Sequence, residues 1–198
     1  MLITVAGFKG GVAKTTTAIH LACYLSQRGS TLLIDADPNR SALSWSQRGE
    51  GLPFLVLDEE AAVGKIATHR HTVIDTQARP SPDELEDLST HCDLLVLPCT
   101  PDALALDALL LTVEALKPWG SGRYRVLLSI VPPWPSGDGA EARTFLKQAG
   151  IPTFRGMVRR FSVYQKAALL GLPVYAVPDP KAKVAWSDYL SIGQELGL

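Results

Sequence analysis

The chain has 198 residues, 46% of them hydrophobic and 20% charged, with a formal net charge of −1. That suits a single domain spanning 1–198 with its own core. Near-neutrality excludes a global pull toward nucleic acid or anionic membrane, so any such contact needs a local patch. Cys23, Cys92 and Cys99 form no CxxC pair and sit in or beside apolar runs, the setting of buried thiols rather than metal ligands. No run reaches the roughly 18–20 apolar residues of a membrane span, and MLITVAG has no basic signal-type flank, so a cytoplasmic location is expected.

In chain order, strands are predicted at 2–6, 31–35, 54–57, 71–75, 93–98 and 125–131, with a weaker one at 153–158. Several are apolar almost without interruption, as in strands of a parallel sheet covered on both faces. Helical patterns fall between them near 14–28, 39–48, 82–91, 102–117, 139–149, 161–170 and 182–196. Ser81 and Pro101-Asp102 open two of these, with acids in the first turn where the helix dipole favours them. Strand–helix alternation predicts an α/β fold with a doubly wound, mostly parallel sheet and helices on both faces. VPPWPSGDGA (131–140) is a surface loop within the domain.

The first strand runs into Gly7-Phe8-Lys9-Gly10-Gly11-Val12-Ala13-Lys14-Thr15-Thr16 and then a helix. Strand, glycine-rich loop and helix N-terminus together make a phosphate cradle. Gly10 and Gly11 let backbone N–H groups turn into one concavity. Lys14 reaches the terminal phosphates, and the Thr15 hydroxyl suits Mg²⁺. Ala13 stands where the general pattern GxxxxGK[ST] has its last glycine. Further on, HTVID (71–75) is an apolar strand ending in a carboxylate, Asp75, which can hold a magnesium-bound water beside Thr15.

KGGVAKTTT (9–17) resembles the deviant Walker A motif KGGxxKTT of the ParA/MinD family of P-loop ATPases, in which alanine before the second lysine is tolerated. DADPNRSALSW (35–45) resembles the family's DxDPQ segment, with Asn39 in place of the frequent glutamine. DTQARP (75–80) resembles its switch segment, DLLVLPCTP (93–101) its D-x-x-[LIV]-[LIV]-P-x-x-P pattern, and Arg160-Phe161-Ser162 onward its R-x-S stretch. The resemblance covers residues 2 to about 190 and is closest to small ParA-type partition and cargo-positioning proteins.

The resemblance implies a Mg-dependent ATPase that forms an ATP sandwich dimer. Lys14 would serve its own nucleotide, Lys9 would cross to the phosphates of the partner, and Asp37 would orient the attacking water. Gly10, Gly11, Val12, Ala13, Lys14, Thr15 and Thr16 would cradle ATP, with Pro178-Asp179 against the adenine; Asp35 would join Thr15 and Asp75 around the metal. The same likeness implies non-specific DNA binding through Arg159, Arg160, Lys166, Lys181 and Lys183, a nucleoid-associated location and a partner that stimulates hydrolysis. The cargo would be a plasmid, a chromosome region or a protein compartment such as a carboxysome. KVAWSDYLSIGQELGL (183–198) lacks the basic tail of the family's membrane-binding branch, so no membrane contact is expected. Two other readings stand beside this one: a metabolic ATP-dependent enzyme of the same fold, like dethiobiotin synthetase, and a module that holds nucleotide with little turnover.

Overall fold

The computed structural model describes residues 1–7, 9–49, 51–78, 80–117 and 123–197. Phe8 in the glycine-rich loop and Arg79 in the switch-like segment lie outside them. Six strands form one sheet: β1 (Leu2–Gly7), β2 (Thr31–Ala36), β3 (Leu55–Asp58), β4 (His71–Ala78), β5 (Leu94–Cys99) and β6 (Tyr124–Leu128). Their order is β3-β2-β4-β1-β5-β6 and every pairing is parallel. Between and after them run α1 (Lys14–Ser26), α2 (Ser41–Ser46), α3 (Glu59–Ala62), α4 (Pro82–His91), α5 (Ala103–Leu116), α6 (Asp138–Gln148), α7 (Val163–Leu170) and α8 (Ala182–Gln194).

This is the expected doubly wound sheet, and its strands read as unbroken apolar runs because both faces are covered. On one face Ile3, Val5, Leu33 and Val73 pack with α1, α7 and α8. On the other, Leu95, Leu97, Val126 and Leu128 pack with α5 and α6. The loops leaving the carboxyl ends of β1, β2 and β4 meet on one side, where open α/β sheets bind ligands. No helix among the described residues is long and apolar enough to cross a membrane.

Helix α1 is buried over Thr17–Leu25, on all its faces, since α8 closes its outer side. The closest approach needs a glycine: a Cβ on Gly193 would stand 2.3 Å from the Tyr24 ring. Inside this layer the His20 ring stacks on Tyr189 at 4.8 Å and meets Trp45 and Tyr164 edge-on. Its Nδ1 lies 2.7 Å from the Thr16 carbonyl, and its Nε2 accepts from the Val174 N–H at 3.1 Å. Only the neutral ring with a proton on Nδ1 satisfies both partners. Burial pushes its pKa down to about 4.

Three predicted elements are corrected. The segment 153–158 is not a seventh strand; it meets β6 through an isolated bridge from Thr153 to Val126 and a bond from the Val158 N–H to the Leu128 carbonyl, and a second bridge joins Arg159 to Val131 beyond the strand. Between them the chain bends, and the N–H groups of Arg155 and Gly156 go to the Glu195 carboxylate, each at 2.8 Å, instead of a ladder. The strand predicted at 125–131 stops at Leu128, and Ile130 turns to φ +51°. Helix α2 starts at Ser41 rather than 39, because Asn39 N–H is taken by the Asp37 carboxylate and Arg40 sits at φ +51°. The short α3, capped by Asp58 on the Ala61 N–H at 2.8 Å, has no counterpart in the predicted elements.

Candidate functional site

Helix α1 begins at Lys14 without a side-chain cap, so its first N–H groups are left for a ligand. Gly11 and Ala13 both take left-handed backbone angles, φ +77° and +67°. A Cβ there costs about 1–2 kcal/mol, so Ala13 holds a conformation that glycine would hold without strain. The non-glycine residues of positive φ among the described residues are Ala13 in this loop, Ile130 beside it in a neighbouring cavity, and Arg40 in the segment that follows Asp37. Strain gathered at one place is characteristic of ligand sites. The Ser129 hydroxyl fixes the loop from below by donating to the Val12 carbonyl at 2.9 Å.

Above the loop opens a cavity of about 530 Å³, within the size range of small-molecule sites. Gly10, Gly11, Ala13, Lys14, Thr15, Thr16, Asp37 and Gln77 all line it. The structure thus gathers most of the predicted cradle, while Val12 is turned into the core. Lys14 is buried; desolvation lowers its pKa, and the charges of Asp75 and Asp37 oppose that shift. Asp37 is held by Asn39, whose backbone N–H and side-chain amide both donate to Oδ1, at 2.9 and 2.8 Å.

Beneath the loop, Asp35 and Asp75 are direct neighbours on β2 and β4, and both are fully buried. Asp35 is satisfied: its oxygens accept the N–H groups of Asp37 at 3.2 Å and Leu43 at 2.9 Å. Asp75 is not, for neither oxygen has a hydrogen-bond partner among the described residues. Burial lifts its pKa to about 7; the Asp35 and Asp37 charges add to the rise, and the Thr15 hydroxyl and Lys14 oppose it. An orphaned carboxylate under a phosphate cradle, with a hydroxyl beside it, is a hard-oxygen setting that fits a magnesium ion brought in with a nucleotide. No group of three or more His, Cys, Asp and Glu among the described residues is placed to hold a metal without such help.

Lys9 stands apart from Lys14. It does not line the phosphate cavity, and its Nζ lies 2.9 Å from Asp102 Oδ1 at the start of α5. Pro178 and Asp179 are not brought to the cradle either. Asp179 pairs with Lys166 and accepts the Lys181 N–H at 2.9 Å. The space next to the cradle is instead a second, mostly apolar cavity of about 260 Å³ that shares Ala13 and Thr16 with the first and is lined by Ile130, Phe161, Tyr164 and Tyr189. No motif in the sequence marks these residues as a group.

The predicted basic patch is partly neutralised. Arg159 makes a bidentate pair with the buried Asp188, with Nη2 2.6 Å from Oδ1, and Lys166 pairs with Asp179. Among the described residues no ion pair involves Arg160, Lys181 or Lys183.

A parallel sheet whose first loop cradles phosphates over a strand-end carboxylate defines a P-loop nucleotide-binding protein. The model of the CobQ/CobB/MinD/ParA nucleotide binding domain matches residues 3–174. The chain is 35% identical over 202 residues to the maintenance of carboxysome distribution protein A of Gloeobacter kilaueensis, covering 98% of this chain and 93% of that one. It is 29% identical over 185 residues to the protein of that name from Halothiobacillus neapolitanus, covering 87% and 86%. The fold matches the ATP complex of a Cyanothece McdA variant with a TM-score of 0.79 at 16% identity, over 100% of this chain and 96% of that one. The chain belongs to the CobQ/CobB/MinD/ParA family and is a P-loop ATPase of the ParA type.

Proposed function

We propose that the chain is a nucleotide-controlled positioning switch: ATP drives a sandwich dimer, the dimer holds DNA, and a partner protein triggers hydrolysis and release. The observation that carries this reading is the separation of the two loop lysines. Lys14 lies inside the phosphate cavity and Lys9 outside it, on a half-exposed arm. A cation outside its own site is suited to a neighbour's triphosphate, where it would neutralise charge and tie pairing to ATP. The names of the relatives favour a protein compartment, the carboxysome, as the cargo.

In the closed site, the backbone of residues 10–16 and the Lys14 ammonium hold the phosphates, and the second cavity takes the nucleoside. Thr15 and Asp75 hold Mg²⁺, which screens the phosphate charge when bound; Asp35 supports it indirectly by fixing the β2 loop. Asp37, with Oδ1 occupied by Asn39, presents Oδ2 to the attacking water. Water attacks the γ-phosphorus, the bond to the β-bridging oxygen breaks, and ADP and phosphate leave. DNA contact falls mainly to Arg160, Lys181 and Lys183, supported by the paired Arg159 and Lys166, and doubling the patch in a dimer raises avidity. Such a protein resides on the nucleoid in the cytoplasm.

Light scattering with ATP, with ADP and with neither tests the reading. A dimer is expected with ATP alone, lost in Lys9→Ala and retained without turnover in Asp37→Ala. Parent protein that stays monomeric with ATP refutes it.

A further inference from the structure

We propose that Asp102 is a latch that holds Lys9 in its own subunit and so raises the ATP level at which two copies pair. The inference rests on the trans-lysine reading above. The Lys9 ammonium sits 2.9 Å from Asp102 Oδ1, and the two side chains are 36% and 52% exposed, open to an arriving subunit.

The carboxylate is itself rigid. Asp102 caps α5 by accepting the Ala105 N–H at 3.0 Å, and it accepts a hydrogen bond from the Thr100 hydroxyl. Those bonds, with Thr100 the largest influence and Lys9 next, keep its carboxyl below the usual range and therefore charged. Among the described residues, Asp102 is the one ion-pair partner of the Lys9 ammonium.

The same ammonium cannot serve Asp102 and a neighbour's phosphates at full strength. An ATP tail carries more charge than one carboxylate and wins the competition, whereas an empty or partly filled site does not. An exposed pair of this kind is worth about two- to fivefold in an equilibrium. A symmetric dimer must open two latches, which makes the combined bias roughly tenfold. The latch suppresses premature pairing without forbidding the ATP dimer.

The test compares Asp102→Asn with the parent by sedimentation in ATP and Mg²⁺. Asparagine caps a helix about as well as aspartate, so the change removes charge and leaves the α5 start intact. Asp102→Ser, also a good cap, serves if the asparagine variant folds poorly. The dimer dissociation constant is expected to fall about four- to 25-fold in Asp102→Asn, while Lys9→Ala/Asp102→Asn pairs no better than Lys9→Ala. An unchanged or weaker dimer in a normally folded variant overturns the latch alone. An equal gain in both backgrounds also overturns it, since Asp102 would then act by repelling phosphate rather than by holding Lys9. A parent that never dimerises overturns the trans-lysine reading and the latch together.

Discussion

The ends of β2 and β4 lie side by side and carry the same residue at the same level, yet the two regions have opposite characters. Asp35 gives each of its oxygens to a backbone N–H of the loop that follows. Asp75, on the adjacent strand, has no hydrogen-bond partner for either oxygen among the described residues, with the Thr15 hydroxyl beside it under the phosphate cradle. A buried carboxylate with its bonds made holds structure together, whereas one without them costs stability until a ligand arrives. The pair separates scaffold from site more sharply than burial does, since both are fully buried.

The largest effect should come from breaking the site side. Asp75→Asn is expected to lower ATP turnover by about 10²-fold or more while the nucleotide-free protein melts higher at pH 8. Removing a charge that burial disfavours and Lys14 only partly compensates outweighs the cost of an orphaned amide by about 1–2 kcal/mol, or about 3–6 °C. Turnover and calorimetry measure the two together, and a lower melting temperature would contradict the strain assigned to Asp75. On the scaffold side, Asp35→Ala strands the N–H groups of Asp37 and Leu43 and should cost about 3–4 kcal/mol in urea unfolding. If that variant is as stable as the parent, the contrast between the two strands fails.

His20 sharpens the comparison from beneath the loop, because it is a buried titratable group whose bonds are all made. Its folded pKa of about 4 lies below the ordinary 6.5, so the unfolded chain holds more protons between those values. Its contribution is therefore complete above pH 6.5 and is lost as pH falls toward 4, by about 3 kcal/mol. His20→Gln should flatten that part of the pH dependence of the urea midpoint. The smallest effect belongs to the surface: Lys166→Ala, at a pair whose lysine is 56% exposed, should change stability by no more than about 0.5 kcal/mol, and a larger loss in calorimetry would make that pair structural.

Much of the site was legible because its parts are close in sequence or lie at strand ends. Residues 9–16 announce a phosphate cradle through glycine and lysine spacing, and the carboxylates of DADP and HTVID follow apolar runs. Continuous hydrophobicity likewise announced the parallel sheet. The segment 153–158 misled because its composition suits a strand, while Glu195, some 40 residues on, takes its N–H groups. The surroundings of Asp179 and the second cavity were illegible for a related reason: Asp179 is engaged by Lys166 and Lys181, and the apolar cavity is assembled from Ala13, Ile130, Phe161 and Tyr189, all far apart in the chain. The pairing of Lys9 with Asp102 spans 93 residues and leaves no local pattern.

From the sequence alone came the class of fold, the phosphate loop and the family, since each rests on backbone freedom, periodicity or short spacing that neighbouring residues settle among themselves. The tertiary structure decided which carboxylate is bare, which lysine faces inward and which arginine is neutralised. Those outcomes depend on hydrogen bonds and desolvation between residues far apart in the chain, and only packing brings the partners together.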